Sequence, residues 1–293
     1  MAELTFDRAF SAAPEKVESL SPLVRRLLCG NASPYTFTGT STFIVGQGHV
    51  AVIDPGPLDE AHFSALLAAL DGQTVSHILV THSHADHSRL AAQLKAATGA
   101  LTVAHGAIAP QDDGPLRLDA SVDHDFIPDV ALPHGEAISG PGWTLEGVFT
   151  PGHMSNHMCF ALREEETLFA GDHVMAWATS VIAPPDGNMH DYMASLQLLL
   201  QRDDALYLPA HGPGRRNPKP LVRGYIAHRR MREAAILNRL RAGDRDVSSI
   251  VQGVYAGLDP RLAGAAALSA RAHLEHLVMQ GLARASGDGF SAA

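Results

Sequence analysis

Cysteine is almost missing from this 293-residue chain, which carries only Cys29 and Cys159. Two isolated cysteines exclude a disulfide framework and any C-x-x-C redox or zinc motif. Long apolar runs are missing too, since nothing approaches the ~18 consecutive apolar residues of a membrane span. The first 20 residues, MAELTFDRAFSAAPEKVESL, are broken by acidic side chains and lack the apolar centre of an export signal. A soluble, cytoplasmic protein is the expectation. Positive charge is in deficit, and the formal net charge of −9 argues against whole-surface attraction to nucleic acid or anionic membrane. There is no GxxxxGK phosphate loop and no GxSxG nucleophile elbow, and the GQG at 46–48 lacks the third glycine of a dinucleotide fingerprint.

What the chain does hold is apolar mass and histidine. Hydrophobic residues make up 46%, enough to bury the core of one large α/β domain with a small appendage. Of the 17 histidines, isolated ones such as His49, His62 and His124 read as surface or internally satisfied side chains. Only spacing promotes a histidine to a ligand. THSHADHS, Thr81 to Ser88, sets His82, His84, Asp86 and His87 immediately after the apolar run HILV. A core strand has no use for them; a metal site does.

Short β-rich runs bounded by Gly, Pro and Asp predict strands at STFIVG and HVAVID, joined as a hairpin across GQG. LDEAHFSALLAAL has helical spacing with acidic residues at its start. HILVTH, SRLAAQLKAA and LTVAH then read strand, helix, strand, the order of a β-α-β crossover. Residues 106–135 are rich in Pro, Gly and Asp and predict a long loop. Strands follow at WTLEGVFT, HMCFALR and TLFAGDH, then a helix at about 191–201 and the strand LYLPAHG. Composition changes at GPGRRNPKP, so the expected domains are 1–215 and 216–293. The second reads as helices at about 220–242, 247–256 and 262–281, with a hairpin across GDG. That is the outline of a winged-helix module.

Each remaining ligand candidate also follows a predicted strand: His153 in TPGH, Asp172 in GD and His211 in AHG. Four strand ends thus carry seven imidazole or carboxylate ligands, and loops at one sheet edge can converge. Imidazole and carboxylate suit zinc, and also iron or manganese. Seven ligands exceed one tetrahedral ion, so a pair sharing a carboxylate is the natural arrangement; such a pair stabilises both attacking and leaving oxygens.

VIDPG, THSHADH, TPGH, GD and PAHG, in that order across roughly residues 20–215, resemble the ordered motifs of the metallo-β-lactamase superfamily. The resemblance implies an α/β fold, an αββα sandwich with a metal site at one edge of its two sheets. It implies one metal on His82, His84 and His153, a second on Asp86, His87 and His211, and Asp172 bridging both. Asp86 would also orient the nucleophile. Asp54 is either a buried carboxylate orienting the THSHADH loop or a turn residue before Pro55. SLQLLL, YLPAHGP, YIAHRRMRE and the winged-helix tail are similar to the β-lactamase-like protein 2 branch, which includes an endoribonuclease and lies close to the glyoxalase II thioesterases.

The implied activity is a dinuclear zinc hydrolase using a metal-activated hydroxide, with iron or manganese as substitutes. Its substrate is a phosphodiester such as single-stranded RNA or, alternatively, a small-molecule ester or thioester of glyoxalase II type. Ten of the 22 Lys and Arg fall within 215–245 against two acidic residues, which tilts the expectation toward RNA. Arg229 and Arg230 could clamp phosphate or form interdomain salt bridges, and Tyr225 and His228 could reach the metal cleft. His157 and His173 read as supporting or packing residues beside the ligands. A nucleic-acid-binding winged-helix protein with a merely structural metal is the reading outside enzymology.

Overall fold

The computed structural model describes residues 4–108, 122–287 and 289–293. The strand pair β1 (Val17–Ser19) and β2 (Val24–Leu28) precedes the hairpin of β3 (Ser41–Gln47) and β4 (His49–Ile53). Helix α1 (Glu60–Ala69) begins at Asp59, whose carboxylate accepts the His62 N–H, and leads into β5 (Thr74–Leu79). A one-turn helix α2 (Ala85–Ser88) and then α3 (Ala91–Thr98) return the chain to β6 (Leu101–Ala104), parallel to β5. This is the crossover that the sequence predicts, except that the single expected helix is two. Strand β7 (Val130–Ala131) completes a sheet ordered β1 to β7. Residues 109–121 of the predicted loop lie outside the described residues.

The second sheet contains β8 (Ala137–Gly140), β9 (Trp143–Phe149), β10 (Met158–Leu162), β11 (Thr167–Gly171), β12 (Leu206–Pro209) and β13 (Arg215–Arg216). Its order is β13-β12-β11-β10-β9-β8. Helix α4 (Met189–Leu200), capped by Asn188, crosses from β11 to its parallel partner β12. Phe43, Val45, Ile53 and Leu79 of the first sheet pack on Trp143, Leu145, Phe160 and Phe169 of the second. Burying each such side chain contributes about 1.5–3 kcal/mol. The outer face of the first sheet is covered by Leu66 of α1 and Leu94 of α3. The outer face of the second is covered by Tyr192 and Leu196 of α4 and by Leu221 and Tyr225 farther on. The result is an αββα sandwich. Central strands are covered on both faces, so β3, β10 and β11 read as continuous apolar runs rather than alternating ones.

The tail consists of α5 (Lys219–Ala242), α6 (Val247–Val254), α7 (Ala263–Met279) and the hairpin β14 (Ala283–Ser286) and β15 (Gly289–Ala292). Helix α5 belongs to two cores. Its first turns bury Leu221 and Tyr225 on the sandwich, and its last turns bury Ile236 and Leu240 against Ile250, Leu274 and Leu277. Among the described residues no helix is long and apolar enough to cross a membrane. Strands β1, β2, β7, β8 and β13 escape the sequence reading; β7, inside the predicted 106–135 loop, and β13 are two residues long, and β1 and β8 are largely exposed.

Candidate metal centre

All seven sequence-predicted ligands lie at one rim of the sandwich. β5 delivers His82, and the turn of α2 delivers Asp86 and His87 with His84 as its N-terminal flank. The loops after β9, β11 and β12 deliver His153, Asp172 and His211. Two glycines make this convergence possible. A Cβ on Gly152 (φ +134°) would stand 2.3 Å from the Tyr192 backbone, and one on Gly171 (φ +49°) would stand 2.6 Å from His157 Nε2. TPGH and GD therefore need their glycines for close approach, not for flexibility.

The side chains form two groups. His82, His84, His153 and Asp172 have ligand atoms within 4.8 Å of one another, and so do Asp86, His87 and His211. His82 Nε2 lies 2.9 Å from His84 Nδ1, which lies 3.1 Å from His153 Nε2. Asp172 stands between the groups: Oδ2 is 3.6 Å from His153 Nε2 and 3.7 Å from His87 Nε2, while Oδ1 is 3.3 Å from His211 Nε2. Asp86 Oδ2 is 3.4 Å from both His87 Nε2 and His211 Nε2. A tetrahedron with metal–nitrogen bonds of about 2.0–2.1 Å has edges of roughly 3.3 Å, so these spacings fit the edges of a coordination shell.

The outward nitrogens fix which tautomer is present. His82 Nδ1 meets Thr81 Oγ1 at 3.0 Å, His87 Nδ1 meets Asp54 Oδ2 at 2.9 Å, His153 Nδ1 meets the Val181 carbonyl at 2.6 Å, and His211 Nδ1 meets the Gly39 carbonyl at 3.2 Å. Thr81 spends its own proton on Asp54 Oδ2, 2.8 Å away, so its oxygen accepts from His82. Each of these rings can donate outward through Nδ1, which leaves Nε2 as the nitrogen available to a metal. His87 Nε2, Asp86 Oδ1 and Asp172 Oδ1 are buried without a hydrogen-bond partner. Ring nitrogens and carboxylate oxygens gathered this closely require a cation between them, a proton or a metal. The residues fit divalent metal.

Electrostatics separates the groups. Burial, then the neighbouring His153, pushes His84 down to about 3, and burial with its histidine neighbours holds His82 well below the usual range. Burial opposes charge on His211 as well, but Asp172 and Asp86 outweigh it and lift that ring to about 10. His87 is raised by Asp86, Asp172 and Asp54 against the same burial. Burial raises Asp86 and Asp172, yet His87 and His211 hold both well below the carboxylate range.

Asp54 accepts from the Thr81 N–H at 2.7 Å as well as from Thr81 Oγ1 and His87. Of its two sequence readings, the orienting carboxylate is the one with partners. His157 Nε2 accepts the Asp172 N–H at 3.2 Å, and His173 packs on the Tyr192 ring at 4.6 Å. Tyr225 does not reach the cleft: its hydroxyl is held 2.6 Å from the Met175 carbonyl. His228 does line the cavity above the metal centre. Arg229 also lines that cavity, and among the described residues it contacts a carbonyl and a ring rather than a carboxylate. It is 4% exposed, donates to the Ser180 carbonyl and lies over the Tyr192 ring.

The cavity holds about 560 Å³ and runs from the ligands to the tail. Tyr35, Leu58, Trp177, Leu258, Leu262 and Ala266 are among its walls, with Trp177 stacked on Phe37 at 4.8 Å. No motif announced these residues. They come from four distant segments, and only their apolar character was visible beforehand.

Sandwich and rim together define a metal-dependent hydrolase. The chain belongs to the metallo-beta-lactamase superfamily, whose profile matches residues 34–211, and residues 247–291 match the beta-lactamase associated winged helix domain. It is 29% identical over 248 residues to the Caenorhabditis elegans beta-lactamase-like protein 2 homolog, covering 83% of this chain and 79% of that protein. It is 30% identical over 249 residues to an atrochrysone carboxyl ACP thioesterase of Aspergillus fumigatus, covering 83% and 72%. A beta-lactamase domain protein from Burkholderia ambifaria shares the fold, with a TM-score of 0.80 at 21% identity over 98% of this chain and 97% of that one.

Proposed function

We propose that the chain is a dinuclear thioesterase for substrates with a bulky apolar acyl group. The observation that carries this reading is the apolar cavity above the ligands, walled partly by the winged-helix tail. The thioesterase named above as a relative supports the same reaction class. In this reading His82, His84 and His153 hold one ion, Asp86, His87 and His211 the other, and Asp172 both; zinc suits the donor set, with iron or manganese as substitutes. When bound, the ions supply Lewis acidity that activates water and polarises the thioester carbonyl. Thr81, Asp54 and the Val181 and Gly39 carbonyls hold the imidazoles in the ligating tautomer. Asp86 orients the attacking water. The apolar walls seat the acyl group and exclude bulk water, which strengthens every charge interaction inside. Water adds to the carbonyl carbon, the C–S bond breaks and the thiol leaves.

The tilt toward RNA is weakened by the engagement of part of the basic stretch. Arg229 is buried, Arg232 donates to the Val254 carbonyl at 2.7 Å, Arg239 pairs with Asp244 at 2.5 Å and Lys219 with Asp203 at 2.7 Å. Four of the ten basic residues in the stretch are thus already engaged, Arg229 inside the protein and Lys219 and Arg239 in partly exposed pairs. The domain division is likewise a proposal, placed after Arg216, since β13 pairs with β12 in the sandwich.

The test is a panel on zinc-loaded protein: acyl-pantetheine thioesters of graded acyl size, a glutathione thioester, an aryl phosphodiester and single-stranded RNA. The expected result is a kcat/KM that rises with acyl size and exceeds that on RNA. Cleavage of RNA with all thioesters inert would overturn the reading.

A further inference from the structure

Behind the metal centre lies a second, partly buried cluster that the ligand set does not use. Glu15, Cys29 and His62 have ligand-type atoms within 4.8 Å of one another. Burial, then the charges of Asp59 and Glu15, pushes the Cys29 thiol up to about 12, so it remains protonated. Both nitrogens of His62 are occupied: Nδ1 faces Glu15 Oε2 at 3.1 Å, and Nε2 faces Thr42 Oγ1 at 2.9 Å. These contacts describe a relay rather than a metal site.

Counting protons along the relay decides its state. The Thr42 hydroxyl has one proton, and the Asp54 carbonyl 2.7 Å away can only accept it. Thr42 Oγ1 must then accept from His62 Nε2–H. The remaining nitrogen meets a carboxylate oxygen, and the other oxygen of that carboxylate accepts the Gly30 N–H at 3.1 Å. The contact at Nδ1 needs a proton as well. Burial works against the imidazolium and holds its pKa below the usual value, while Glu15 opposes that shift. With Nε2–H given to Thr42, the contact between Nδ1 and Glu15 Oε2 is completed by a single proton shared between the two groups.

The other end of the relay is Asp54. Its backbone is in the left-handed region, φ +49°, which aspartate adopts more readily than most residues with a Cβ. Its carboxylate fixes Thr81 and the Nδ1–H of His87, as described above.

We propose that Glu15 and His62 form a proton-sharing positioning pair that acts through Thr42 to clamp the Asp54 peptide, and so sets the orientation of His87 in the metal centre. The inference rests on the metal-centre reading but is tested apart from it. In nitrogen-15 NMR of the metal-free protein at neutral pH, His62 should show Nε2 protonated, as donation to Thr42 requires. Thr42→Val severs the relay with little change in volume, and Thr42→Ser keeps it. Competition with a chromophoric chelator should show Thr42→Val binding the weaker zinc roughly tenfold less tightly, the low end for loss of a group that orients a ligand. Thr42→Ser should bind like the wild type. A His62 protonated at Nδ1 alone overturns the proposal. So does unchanged zinc affinity in Thr42→Val with its circular dichroism intact, or equal weakening in both variants. Should Thr42→Val fail to fold, Glu15→Gln gives the same affinity readout, and wild-type affinity there overturns the proposal too. A wild-type chain that binds no zinc would instead sink the metal-centre reading.

Discussion

Asp172 turns one carboxylate oxygen toward His153 and His87 and the other toward His211, so a single side chain joins both ligand groups. Replacing it with alanine removes the only carboxylate in the first group. In Asp172→Ala, metal per chain should fall from two to one or fewer, and kcat/KM should fall by roughly a hundredfold or more. The fold should survive, because Asp172 sits in a loop past the end of β11 and outside the packed sheets. Elemental analysis with circular dichroism checks both halves; two retained ions would refute the bridging role.

At the scale of elements, α5 decides how its charge is used. Arg229→Met leaves the Ser180 carbonyl without its donor and removes the cation from the Tyr192 face. The expected cost is about 1–3 kcal/mol of stability, read from urea midpoints. A polyanion grip at this position would instead appear as a weaker salt dependence of RNA binding with stability unchanged. His228, one residue earlier, gives a pH signature. Burial, followed by Arg229, Arg232 and His273, pushes it down to about 4. Because the folded pKa lies below the unfolded value of about 6.5, the unfolded chain binds the extra proton between those values. The contribution of His228 is complete above about 6.5 and is lost as pH falls toward 4. Stability of the wild type should therefore decline from pH 7 to pH 5 more steeply than that of His228→Gln. Identical slopes would mean that the ring titrates normally when folded.

For the whole molecule, the metal is a ligand of the native state alone. With free metal at about a hundred times its Kd, linkage stabilises the fold by about 2.7 kcal/mol, and chelation should lower Tm by several degrees. Calorimetry with and without chelator tests this, and an unchanged Tm would show that the rim holds no ion. The tail belongs to the same argument, since Tyr255, Leu258 and Leu262 line the cavity above the ligands.

The sequence by itself determined the centre. Each ligand follows a strand, histidine and aspartate recur at short spacing in THSHADH, and TPGH and GD carry the glycines that close approach requires. Local chemistry of that kind is written in neighbouring residues and survives without coordinates. The two-sheet order, the division of α5 between two cores and the burial of Arg229 were decided by tertiary structure. A run of arginines looks the same in sequence whether it faces solvent or the Ser180 carbonyl, because burial depends on which helices pack around it. His62 makes the same point in reverse. Alone in the sequence it reads as a satisfied side chain, and it is one, yet its partners Glu15 and Thr42 come from far along the chain. Hydrogen-bond relays and cavity walls join residues that are close only after folding, so no spacing rule can announce them.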